Sequence, residues 1–115
     1  MVGSLRALRM NELELLGASE AGDVEAVRYR LASRLPPSLE CLSERRLTPL
    51  MLAAANPNAF GVLQLLLQRG ARSAAVHADS GMAPLHFACA AGNAPAAFAL
   101  LRAGAHPGAA DLCGA

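Results

Sequence analysis

The sequence predicts an all-α protein, a solenoid of stacked helix-turn-helix units with projecting hairpin-like loops, and three observations predict it. Hydrophobic residues make up 54% of the 115 residues but aromatic ones only 3%, with no Trp. A core of Ala, Leu and Val suits closely approaching helices better than a sheet sandwich. Two windows, Leu47 to Leu67 and Gly81 to Leu101, hold no Asp, Glu, Lys or Arg. Those windows also resemble each other: Pro49, Leu50 and Ala53 recur as Pro84, Leu85 and Ala88 at an offset of 35, and Leu66, Leu67, Gly70 and Ala71 recur as Leu100, Leu101, Gly104 and Ala105 at 34. Self-similarity at this period marks an array in which each thin layer is supported by the layer beside it.

The first unit, in residues 11–46, is the weakest copy: Leu15, Ala18 and Asp23 precede Leu50, Ala53 and Asn58 by 35. Asn11, Glu12, Glu14, Glu20, Arg28 and Arg30 suit an N-terminal capping unit with one wet face, and residues 1–10 form an extension ahead of it. Its connector, 32–46, is long and contains Pro36 and Pro37, which predicts an irregular loop. The second unit, 47–81, opens its first helix at Pro49, where the missing N–H is not needed, and buries Leu50, Ala53 and Ala54 at i, i+3 and i+4. The third, 82–115, repeats this with Pro84, Leu85, Ala88 and Cys89 and runs into the start of a further unit. Asp23, Asn58 and Asn93 are predicted to cap the second helices, whose inner faces carry Val27 and Leu31, then Leu63, Leu66 and Leu67, then Ala97, Leu100 and Leu101. Gly70 and Gly104 end those helices in left-handed conformation.

The segments "TPLMLA" (48–53) and "APLHFA" (83–88) resemble the TPLHxA hallmark of the ankyrin repeat. Thr48, Pro49 and Leu50, then Pro84, Leu85 and His86, fall on that motif, followed by the leucine pair and by Gly70 or Gly104. The resemblance implies an ankyrin-repeat solenoid: helix pairs with projecting β-hairpin or loop fingers, stacked into a slightly curved array. It also implies that the concave groove and the finger tips bind partner proteins. Met51 stands where the motif has His, and Ala83 where it has Thr, so each unit should lose one local bond. The chain stops at "ADLCGA", where Asp111 and Gly114 would open another repeat. This predicts a truncated array of marginal stability, with Leu85, Ala88 and Leu100 partly uncovered.

Chemistry is thinly represented. A net charge of +1 supplies no field for nucleic acid or anionic lipid. The two uncharged windows are long enough to span a bilayer, but Pro49, Pro57, Pro84 and Pro95 with interspersed Asn, Gln and His argue against membrane insertion. Ser80, His86 and Asp111 lack a nucleophile elbow. His86, Cys89, His106 and Cys113 are a soft-ligand set not expected to converge on zinc. No phosphate loop is present, so neither catalysis nor a cofactor is expected. Three cysteines at unmatched spacings suit a reducing, intracellular setting and small-volume packing, with Cys41 and Cys113 on exposed connectors.

What remains is a recognition surface. Leu52, Ala55 and Asn56, with their equivalents Phe87, Ala90 and Ala91, lie opposite the buried stripe and line the concave groove. Leu52 and Phe87 serve there as anchors or pack against the finger bases, while Arg45, Arg46, His77, Asp79 and Ser80 at the tips tune specificity. The expected function is a monomeric, non-catalytic protein-interaction module. The alternatives are the recruiting N-terminal part of a larger enzyme, ubiquitin-ligase adaptor or channel, and a small stand-alone enzyme inhibitor.

Overall fold

The computed structural model describes residues 2–34 and 36–104, with side chains from Arg6 onward. Six helices follow in order: α1 Val2–Ala21, α2 Val24–Leu31, α3 Pro49–Ala54, α4 Phe60–Gln68, α5 Pro84–Ala90 and α6 Ala94–Arg102. They pack as three pairs, α1 with α2, α3 with α4 and α5 with α6; α1, α3 and α5 form an inner row, and α2, α4 and α6 an outer row. Among the described residues there is no strand. The projecting segments are loop fingers, each closed by two backbone bonds: Ser43 N–H to Leu47 O at 2.9 Å and Arg46 N–H to Ser43 O at 2.8 Å in the first, His77 N–H to Met82 O at 2.8 Å and Gly81 N–H to His77 O at 2.8 Å in the second.

The inner helices α3 and α5 start where proline and a side-chain cap place them. Thr48 Oγ1 accepts from Met51 N–H at 3.2 Å ahead of α3, and Ala83 N–H donates to His86 Nδ1 at 3.0 Å ahead of α5. The α3 cap is reciprocal, because Met51 Sδ accepts from Thr48 N–H at 3.5 Å and so replaces the motif's histidine, contrary to the sequence expectation of a lost bond, whereas the α5 cap keeps only the half that Ala83 allows. Leu15, Leu50, Ala53, Leu63, Leu66, Leu85, Ala88 and Leu100 are all at most 1% exposed and form one continuous core. Gly70 and Gly104, with φ of 92° and 96°, lie just past α4 and α6.

Several sequence expectations are corrected. α1 runs unbroken through residues 2–10, where Leu5, Arg6, Ala7, Leu8, Arg9 and Met10 favour helix and outweigh Gly3. Asn58 does not cap α4; Ala59 holds that position with no side-chain bond, whereas Asp23 and Asn93 cap α2 and α6. The extra residue of the middle turn shifts the cap by one. Leu85, Ala88 and Leu100 are fully buried, since they face back towards α3 and α4; Phe98 and Leu101, at 67% and 41%, are exposed instead. Cys41 is buried at 7% exposure. The sequence candidates His106, Asp111 and Cys113 lie outside the described residues.

Candidate functional site

A groove of about 370 Å³ opens between the first inner helix and the first finger. α1 gives it Leu13, Leu16 and Glu20, the finger gives Ser43, Glu44, Arg45 and Leu47, and α3 gives Leu52. Leu13 is 44% exposed while Leu16 and Leu52 are nearly covered, so the floor is apolar and only its mouth is wet. Glu20, Glu44 and Arg45 place both signs of charge on the rim. An apolar floor inside a charged rim is the ordinary anatomy of a protein-binding patch.

The two fingers are tied into one surface. His77 Nε2 lies 2.8 Å from the carbonyl of Arg45, and His77 Nδ1 lies 2.7 Å from Ser80 Oγ. A carbonyl only accepts, so Nε2 carries the hydrogen, and in the neutral ring Nδ1 accepts from the Ser80 hydroxyl. The same imidazole meets the ring of Phe87 edge-on, at 6.0 Å and 72°. Lower in the connectors, Arg72 N–H donates to Glu40 Oε2 at 3.0 Å.

Arg46 has φ of 64°, a left-handed conformation that costs a side-chain-bearing residue about 1–2 kcal/mol. Thirty-five residues later the same place is taken by Gly81, with φ of 73°. The Arg46 guanidinium stands 3.9 Å from Asp79, both exposed, a pair too solvated to offset the backbone cost.

The other residues singled out from sequence fall into two groups. Ala55 and Ala90 are exposed at the ends of α3 and α5, with Ala91 half-buried beside them. Asn56 is spent inside the stack: its Nδ2 donates to Glu20 O at 2.9 Å and its Oδ1 accepts from Asn58 N–H at 2.9 Å. Phe87 is half-buried against His77, and Leu52 is 9% exposed, so both support the fingers while Leu52 also floors the groove. Ser80 Oγ is engaged by His77, not by His86, and no cluster of three potential metal ligands occurs among the described residues. Sequence reasoning missed Leu13, Leu16, Glu20 and Glu44 because the first unit lacks the hexapeptide that sets the register.

A second depression, about 580 Å³, lies on the opposite side between α4 and α6 and is lined by Phe60, Leu67 and Phe98 with Gln64 and Arg102. No helix among the described residues is long and apolar enough to cross a membrane.

These helix pairs, fingers and helix caps agree with what the whole sequence matches. A family model described as ankyrin repeats (3 copies) matches residues 15–111. No curated protein matches the chain. With the match spanning most of the chain and the helix pairs stacked in the same register, the protein belongs to the ankyrin-repeat family.

Proposed function

We propose that this domain binds another protein through the groove between α1, the first finger and α3, extended along the finger row by Arg46, His77, Asp79 and Ser80. Ankyrin repeats are protein-interaction modules, and the observation that favours this surface is Arg46. Its strained backbone carries a charged side chain at a finger tip where the next repeat uses glycine, and strain kept at a surface position points to use of that side chain. Leu13 and Leu52 supply the apolar contact, Glu20, Glu44 and Arg45 the orientation. The role is display of a rigid surface without turnover, by a monomer inside the cell. The free thiol of Cys41 and the odd cysteine count support that location.

Quantitative capture from cells, comparing wild type with a Leu13→Ala, Arg45→Ala variant of equal melting temperature, tests the surface. Specific partners should fall at least about tenfold, the size expected when an apolar anchor and a charged contact are lost together. Retention of the same partners at the same level removes the assignment.

A further inference from the structure

The convex side of the stack carries an out-of-place aromatic. Phe98 lies five residues after the capping Asn93; the residues five after Asp23 and Ala59, the caps of the other outer helices, are Arg28 and Gln64. Two polar residues and one phenylalanine thus occupy equivalent outward positions, and the phenylalanine is 67% exposed. With the half-buried Phe60 and Leu67 it lines the depression of about 580 Å³ between α4 and α6, a volume within the range of sites that hold small ligands or peptide side chains.

Among the described residues the charge around this depression has one sign. Between residues 47 and 104 the only acid is Asp79, on a finger, while Arg69 and Arg102 end the two outer helices. Neither arginine has an ion-pair partner among the described residues. Arg102 lines the depression itself. Exposed aromatic rings beside unpaired guanidinium groups are the residue types that dominate binding hot spots.

From this juxtaposition we infer that the α4–α6 groove is a second docking surface, which takes a short apolar segment of another protein carrying an acidic side chain. The partner's large apolar side chains lie on Phe60, Leu67 and Phe98, and its carboxylate meets Arg102. Charge selects this occupant over two others. A second copy placed symmetrically would bring Arg69 and Arg102 against their own equivalents, with no acid among the described residues of this face to receive them. An anionic membrane surface calls for a cluster of about four to eight basic residues, more than this face offers. The surface is distinct from the finger-side groove, so each stands or falls separately.

A random peptide library displayed on phage and selected on the full chain tests the inference, with enriched peptides resynthesised and measured by fluorescence anisotropy. Enriched sequences should pair large apolar residues with Asp or Glu. Phe98→Ser should weaken them at least about tenfold and Arg102→Glu by a similar factor, with Arg102→Lys close to wild type and Leu13→Ser without effect. Circular dichroism and melting temperature establish that each variant is folded. Should Phe98→Ser not fold, Gln64→Glu, exposed in the same groove, replaces it with the same expected loss. The inference is overturned by no enrichment above an unrelated protein, by enriched peptides that are basic or indifferent to both groove substitutions, by a Phe98-dependent dimer in sedimentation, or by Phe98-dependent binding to phosphatidylserine vesicles.

Discussion

The side chain of Asn93, 2% exposed, donates from Nδ2 to the carbonyl of Ala54 at 3.1 Å and of Asn56 at 3.3 Å in the preceding repeat, while its Oδ1 accepts from Ala96 N–H at 3.4 Å. One buried amide thus caps its own helix and satisfies the end of the neighbouring one. Asn56 repeats the stacking half of this arrangement one layer earlier, reaching Glu20 O at 2.9 Å.

Asn93→Ala should therefore cost about 2 kcal/mol, roughly 1 from the lost cap and 1 from carbonyls left unpaired between layers. Asn58→Ala should change stability by less than about 0.5 kcal/mol, since Asn58 is exposed and does not cap α4. Urea unfolding of the two variants measures the difference. Equal effects would mean that the asparagine is not the tie between layers.

Replacing Arg46 by glycine should stabilise the protein by about 0.5–1 kcal/mol. The left-handed backbone costs arginine about 1–2 kcal/mol, part of which glycine gives back through its freer unfolded chain. Arg46→Ala keeps the φ of 64° and loses only a solvated pair with Asp79, so it should leave stability within about 0.5 kcal/mol. A higher melting temperature for the glycine variant alone locates the strain in the backbone. The same glycine variant should bind the partner of the finger-side groove less well.

The repeat period, the helix pairs and most core positions were legible because proline, small residues and leucine pairs recur at 34–35 residues. The cap of α4 was not. An inserted residue in the middle turn can be assigned to either side of Asn58, and only the fold shows that Ala59 takes the capping position. Phe98 was passed over because an apolar residue in a helical pattern reads as core until the direction of its side chain is known. Leu13 belongs to a unit without the motif hexapeptide, so nothing in sequence fixed which way it faced. The conformation of Arg46 had one trace, the glycine that follows it by 35 residues.

Gly61 lies within α4, where glycine costs a helix about 1 kcal/mol relative to alanine, yet an added Cβ would stand 2.7 Å from Val24 Cγ2. The glycine lets α4 approach α2. Gly61→Ala should be neutral or destabilising by about 1 kcal/mol in the wild-type background, as the clash offsets the gain in helix propensity. In a Val24→Ala background the same change should stabilise by up to about 1 kcal/mol. A double-mutant cycle by chemical unfolding reads the coupling; strictly additive effects would show that the two residues do not limit each other.

Cys41 provides a test by pH. Its thiol is pushed from an ordinary 9.0 up to about 12, first by burial and then by the nearby Glu12 carboxylate. The unfolded chain therefore releases this proton at lower pH than the folded one. Its contribution to stability is complete below pH 9 and lost as pH rises from 9 towards 12. A Cys41→Ala variant, though less stable at neutral pH, should lose less stability than wild type between pH 8 and pH 10, measured by urea unfolding at each pH. Site-resolved alkylation followed by mass spectrometry gives an independent reading: at pH 8 Cys41 should react far more slowly in the folded protein than in urea. Equal alkylation rates would place the thiol in solvent, as the sequence expectation of an exposed connector had it.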